Sequence, residues 1–557
     1  MPLGAFKAGM FGAAGGGGSG LGGCAMYGDP LADIESGIET YPYAINKYIS
    51  GGTKKLRLGG RSQNSSGGQY GSGFGSGEID ITNGWSAAPT SFDNFRRWTW
   101  AIPDSSTWQM LTTTWQGGGQ WIDSSGNVYQ IGKSSGGSSY NYDNIMMTKW
   151  NDTMSSNSWY DAWRTTSGYP YGVSDGAMLK TEGTNGRTIY AFNSYNYEGG
   201  GYRRRTQLGD INDSTGAQGS PIKQIYPNTI TNWGTPHSYM NGAPIFSKNI
   251  YDDFFGTVFQ GYWTGYGTIP LAMVWENESG NIQNQYDIHL AGVKNNSTGG
   301  GDAIYATGCD IDSEKNIYIL GYGPATNVDG SGTMNNVFIT KFNSDGYMDW
   351  SYVIRQQANG VEHNMYSGGI YVDGTGDGGD IYISGYSDNV SGSGTHNGPW
   401  LIKIDNDNAS ADIEITWATQ LYNSDSNEKS FYAQGIEKYD DTVYMTGYGS
   451  PILGTNTTGW VAGFNTDGTT LGTTTVNSMQ FTATDLSSYL VWDRADSGTT
   501  TPNIAIGTFN SGAGNDMVIG TSNDASDSGT ISAFESATTI GTGGTQGAFY
   551  TNGGDIA

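Results

Sequence analysis

The side chains able to do chemistry are few and scattered. Four histidines, His237, His289, His363 and His396, stand apart from one another with no second His at ligand spacing, so each reads as a loop or surface residue. No HExxH, GxSxG or phosphate-loop pattern is present. Carboxylate pairs are frequent, but Asp252-Asp253 and Asp440-Asp441 sit just before strand-like runs, where Asp serves turn geometry. The expectation is a chain that performs no catalysis.

Two other sets point to binding. The run Asp373-Gly374-Thr375-Gly376-Asp377-Gly378-Gly379-Asp380 brings hard oxygen ligands close together, so Asp373, Asp377 and Asp380 are candidates for a structural calcium ion, with a solvated hairpin tip as the alternative. It does not complete an EF-hand loop. No other cofactor is expected. Tyr140, Tyr142, Tyr195, Tyr197, Trp263 and Tyr266 lie in Gly/Asn/Ser-rich loops. Such rings suit stacking on sugars, contact with a protein partner, or packing over strand ends, and the sequence leaves all three open.

Composition narrows the elements that must carry these residues. Of 557 residues, 89 are Gly, which costs stability inside helices and serves turns, so a mainly helical protein is excluded. The 72 aromatic residues (37 Tyr, 17 Trp and 18 Phe) argue against simple disorder. The formal charge of −26 counts against nucleic-acid contacts. No apolar run reaches the ~20 residues of a membrane helix, so no membrane span is expected. Cys24 and Cys309 are 285 residues apart and are expected as two unpaired thiols.

One short pattern, apolar-aromatic-apolar and often a closing Gly, then recurs along the chain. It centres on Tyr129, Tyr190, Phe259, Tyr318, Tyr382, Tyr444 and, in degenerate form, Ala505, at gaps of 61, 69, 59, 64, 62 and 61 residues. Companion strands flank it, such as Gly308–Ile311 before and Val337–Asn343 after Tyr318, followed by Asp-Gly turns and a strand carrying Trp. Four short strands per unit, repeated seven times, predict an all-β, seven-bladed β-propeller of about 60 residues per blade. The propeller is placed at residues 106–557 and a Gly-rich docking segment at 1–105. Within that segment one short helix is expected after Asp29-Pro30, with Leu31, Ile34 and Ile38 on one side. Lys54–Leu58 is a candidate for the strand that closes the ring.

The blocks Gly308–Trp350, Gly369–Trp417 and Gly435–Gly468 resemble the β-propeller repeats of bacterial and phage surface proteins. The leader MPLGAFKAGMFGAAGGGG resembles those of structural proteins in tailed phages of marine cyanobacteria. This second resemblance implies a virion component of an extracellular particle, a tail or capsid appendage in an oligomeric assembly. Its N-terminal segment would dock onto other virion proteins, and its propeller would contact a host-surface glycan or protein. The competing expectation is an exported bacterial surface propeller that binds glycans, with a polysaccharide-degrading propeller enzyme as the third.

Overall fold

The computed structural model describes residues 25–28, 38–64, 73–83, 93–98, 109–111, 119–135, 143–163, 173–181, 186–198, 201–217, 223–225, 239–240, 244–251, 253–263, 267–278, 281–294, 301–302, 304–326, 333–346, 348–358, 361–374, 379–388, 397–406, 413–420, 430–449, 458–468, 480–485, 490–496, 504–510, 515–521, 531–533 and 549–550. Every regular element among them is a β-strand, and the strands gather into eight small antiparallel sheets. The architecture is all-β and propeller-like. No helix of the described residues is long and apolar enough to cross a membrane.

Seven sheets follow one another along the chain and in space. They are sheet 1 (38–98), sheet 2 (109–163), sheet 3 (173–225), sheet 4 (239–302), sheet 5 (305–363), sheet 6 (365–420) and sheet 7 (431–465). Each packs on the next through an edge strand, and sheet 7 packs back on sheet 1. Burial explains the arrangement: a small sheet cannot cover both of its own faces, so each borrows its neighbours'. The core is accordingly divided between sheets. One cluster joins Tyr318, Leu320 and Ile339 of sheet 5 to Ile370, Ile383 and Trp400 of sheet 6. Another joins Tyr371 and Tyr382 of sheet 6 to Ile436, Met445 and Trp460 of sheet 7.

The aromatic of the sequence repeat marks the second strand of six sheets. Tyr129, Tyr190, Phe259, Tyr318, Tyr382 and Tyr444 are all buried. The turn before two of them is locked by one device. Asp123 accepts hydrogen bonds from the amides of Ser125 and Asn127, from Asn127 Nδ2 and from the Tyr129 hydroxyl. Asp312 does the same for Glu314, Asn316 and Tyr318. At the matching position both turns require a left-handed residue, Gly126 in one (φ 82°) and Lys315 in the other (φ 70°). Asp253 and Asp440, expected as turn residues, likewise adopt φ of 66° and 50°.

Several expectations are corrected. Leu31 and Ile34 of the expected helix lie outside the described residues, while Ile38 opens a strand, Ile38–Ser50, that continues through Gly51-Gly52, both at positive φ, into the antiparallel partner Thr53–Asn64. Two adjacent left-handed residues make the tight turn whose twist matches a hairpin. Lys54–Leu58 therefore lies in the second strand of sheet 1, paired on both sides within that sheet. The strand that joins the two ends is Ala25–Gly28, paired antiparallel with Trp460–Gly463 as the outer strand of sheet 7. Residues 38–98, expected in the docking segment, fold as a full sheet packed between sheets 7 and 2. The unit at Ala505 falls outside the cycle, in sheet 8 (504–550). Between them, Gln480–Asp485 adds to the outer edge of sheet 5 and Leu490–Asp496 to that of sheet 4. Cys309 is buried and free, and Cys24 lies outside the described residues.

Candidate functional site

The strands through which sheets meet share a local irregularity that sets up one site. In sheets 5, 6, 7 and 1 the first strand carries a register shift, between Ala306 and Gly308, Ser367 and Gly369, Ala433 and Gly435, and Pro42 and Ala44. Such a bulge bends the strand and re-aims its side chains. A tyrosine stands at the same place before each bulge: Tyr305, Tyr366, Tyr432 and Tyr41. Opposite the first three, in register on the second strand, are Tyr322, Tyr386 and Tyr448; opposite Tyr41 is Arg61.

A glycine makes the approach feasible. Gly321, Gly385 and Gly447 close the repeat pattern just before these second-strand tyrosines, and Gly60 is its counterpart in sheet 1. A Cβ on any of the four would run into the carbonyl oxygen of the first-strand tyrosine, Tyr305, Tyr366, Tyr432 or Tyr41. The glycine thus lets the bulged backbone press against the second strand, which sets the two rings side by side.

The rings form one continuous arc across four sheets. Within a sheet they lie near parallel: Tyr305 and Tyr322 at 5.3 Å and 23°, Tyr366 and Tyr386 at 4.9 Å and 17°, Tyr432 and Tyr448 at 5.2 Å and 30°. Between sheets they meet edge to face: Tyr322 and Tyr366 at 5.2 Å, Tyr386 and Tyr432 at 4.9 Å, Tyr448 and Tyr41 at 5.1 Å. Tyr43 closes the arc at 6.1 Å from Tyr448. Each contact of this kind contributes about 0.5–1.5 kcal/mol beyond the area it buries. Tyr305 is 39% exposed and the other rings are half-buried. Burial, followed by neighbouring tyrosines, pushes Tyr322 and Tyr448 up to about 12 and Tyr386 well above the ordinary phenol value. The arc is a row of aromatic faces with hydroxyl donors and acceptors, and burial keeps the hydroxyls of Tyr322, Tyr386 and Tyr448 protonated at neutral pH.

The other end of the same strands, five residues and roughly 17 Å away, is a closed network of charges. Glu437 holds Lys47 at 3.3 Å and Lys248 at 3.1 Å. Lys47 also donates to the Tyr371 hydroxyl (2.7 Å), and Lys248, from sheet 4, reaches the carbonyl of Ile45 in sheet 1. Asp310 is fully buried and accepts from the amides of Asn249, Ile311 and Val372 and from Asn249 Nδ2. Burial pushes its carboxyl up to about 7 although these donors pull it down. Glu437 and Asp310 thus hold lysines and amides of neighbouring sheets, and the cluster ties five sheets together.

The residues singled out from the sequence are elsewhere. Tyr140, Tyr142, Tyr266 and Asp377 lie outside the described residues. Tyr195 and Tyr197 lie in one hairpin of sheet 3, opposite Arg204 and Tyr202, and Trp263 stands opposite Gly267 in sheet 4. Asp373 and Asp380 face each other in register, but each has a lysine: Lys438 at 2.7 Å from Asp373 and Lys403 at 2.8 Å from Asp380. Among the described residues no group of three His, Cys, Asp or Glu is placed to hold a metal ion. His363, expected on a surface or loop, is buried in a short strand opposite Gln356, with its pKa lowered by that burial. The arc itself was missed. Its signal is the residue after the repeat glycine, in Gly321-Tyr322, Gly385-Tyr386 and Gly447-Tyr448, coupled to a tyrosine on the preceding strand.

No known protein family matches the chain, and no curated protein is similar to it. Solved structures of similar arrangement include the polysaccharide lyase Uly1 (11% identity over 77% of this chain and 90% of that one, TM-score 0.32). They also include a GH32 β-fructofuranosidase of Bombyx mori (10%, 85% and 97%, TM-score 0.26) and the sucrose-6-phosphate hydrolase of Lactobacillus gasseri (9%, 79% and 95%, TM-score 0.29). These neighbours correct the expectation of a chain without catalysis, since they are enzymes. At such TM-scores the likeness assigns no activity or substrate to this chain.

Proposed function

We propose that sheets 1 to 7 are the blades of a closed seven-bladed propeller that holds saccharides on the tyrosine arc. The arc is the observation that carries this reading. Rows of partly exposed aromatic faces with hydroxyls at their rims suit sugars, which present an apolar C–H face and a polar edge. The cyclic packing order of the seven sheets supports the ring, and the charge network at the far end of the strands supports a single open mouth on the tyrosine side. This is the glycan-directed alternative to a virion component; neither the fold nor the structural neighbours bear on the virion assignment.

The test is a panel of soluble polysaccharides, scored for retarded migration of the full chain in native gels and, in parallel, for release of reducing or unsaturated ends. Retardation by at least one polysaccharide is expected, and it should be abolished in a Tyr366→Ala/Tyr386→Ala double variant. A blank panel, or retardation that survives the double variant, overturns the reading. End-group release determines whether binding is followed by cleavage.

A further inference from the structure

One polar pair continues the tyrosine arc, and it is found in sheet 6. Two residues before Tyr366 is Asn364, and two residues after Tyr386 is Asp388. Residues two apart share a face of a strand, so this pair is the next rung beyond the Tyr366–Tyr386 pair. The rung is made: Asp388 N donates to Asn364 O at 3.1 Å, Asn364 N to Asp388 Oδ1 at 2.9 Å, and Asn364 Nδ2 to Asp388 Oδ2 at 2.7 Å. The Asn364 side-chain oxygen accepts in turn from the amide of Asn335, which fixes the amide's orientation.

Counting acceptors shows what is left over. An ionised carboxylate offers about four lone-pair sites, two on each oxygen. Asn364 takes one on each. His363 Nδ1, at 3.9 Å from Oδ1, is beyond hydrogen-bond range. Among the described residues one acceptor therefore remains on each oxygen, side by side, on a side chain still 35% exposed. Two adjacent acceptors beside an aromatic surface match two adjacent hydroxyls of a sugar ring. They also repel anions, in the same direction as the chain's net charge of −26.

We propose that Asp388 reads a vicinal diol on an uncharged saccharide seated on the Tyr366–Tyr386 pair of the arc, an inference that rests on the arc being the saccharide site. Asp388 sets specificity here: the rings supply contact area, and the carboxylate selects neutral, diol-bearing sugars over uronates and sulfated chains.

The experiment titrates the full chain, wild type and Asp388→Asn, with neutral mannan, β-glucan and galactan and with alginate and a sulfated galactan. Asparagine keeps the shape but replaces an acceptor oxygen with a donor. Expected is preferential binding of a neutral polymer over both anionic ones. Asp388→Asn should weaken that binding by about 10-fold or more, the usual effect of losing a hydrogen bond to a charged group, with an unchanged thermal midpoint. Should the midpoint fall, Asp388→Glu, which keeps the acceptors, must restore affinity more than Asn does. Equal affinity of Asp388→Asn and wild type, or anionic polymers bound as tightly as neutral ones, overturns this proposal while leaving the arc in place. If no polymer binds at all, the arc reading falls and this proposal falls with it.

Discussion

At the residue scale, the glycines of the repeat do more than end strands. Gly385 shows this most sharply, because an added Cβ would strike both the Tyr366 carbonyl and the Trp400 ring, neither of which has room to withdraw. Gly385→Ala should destabilise the chain by about 2–3 kcal/mol, the upper range for overpacking a filled core, as read from chemical denaturation. Gly374, at φ +99° with nothing near its Cβ position, is the control for backbone strain alone. The sequence displayed Gly385 as part of a motif but not its reason. A bulge on the paired strand leaves no mark in the spacing around the glycine, and the ring that glycine positions is the next residue along.

At the element scale, the repeat was legible wherever its buried aromatic was kept and illegible where it was replaced. In sheet 1 the position opposite Asn46 corresponds in register to those of Tyr318, Tyr382 and Tyr444 opposite Asp310, Tyr371 and Glu437. It is filled by Arg57, which is fully buried and donates to Glu78 Oε2 (2.7 Å), to the Tyr48 hydroxyl (3.2 Å) and to the Asp152 carbonyl (2.6 Å). A charged residue in an aromatic slot breaks the pattern a reader looks for, so Ala505 was counted as the seventh unit in its place. The closing strand, Ala25–Gly28, is equally silent in sequence, since four residues paired by backbone need no particular side chains. Removing residues 1–28 leaves the edge of Thr458–Asn465 unpaired. Such an edge invites pairing with another chain. The truncated chain should melt at a lower temperature and self-associate with rising concentration in sedimentation velocity, whereas behaviour identical to the full chain would mean that Ala25–Gly28 does not close sheet 7.

At the scale of the whole molecule, the core includes buried tyrosines beside its aliphatic residues, and this has a pH signature. Burial raises Tyr322, Tyr444 and Tyr448 to about 12, and raises Tyr129, Tyr318, Tyr371 and Tyr382 further. In the unfolded chain all titrate near the ordinary value of about 10. A folded-state value above the unfolded one means that the stabilisation is complete below about pH 10 and is lost as pH rises through the folded-state values. Thermal midpoints should therefore fall steeply between pH 10 and 12, with a rise in phenolate absorbance that coincides with unfolding rather than preceding it. The all-β architecture was visible from composition and spacing alone, because the evenly spaced buried aromatic recurs in six of the seven sheets. The tyrosine arc was not, because it is assembled from four sheets whose tyrosines become neighbours only when the sheets pack on one another.

The central claim is that this arc is a saccharide surface. Its most direct test is calorimetric titration of the wild type and of Tyr386→Ala/Tyr432→Ala with whichever polysaccharide retards the chain most. These two rings meet edge to face across the boundary of sheets 6 and 7 at 4.9 Å, so their loss breaks the arc at its middle. Stacking of a nucleobase on an aromatic side chain contributes about 1–3 kcal/mol; with the lower end of that range for a sugar on each of the two rings, an affinity loss of about 30-fold or more is predicted with the fold intact. Unchanged affinity in a folded double variant would contradict the account.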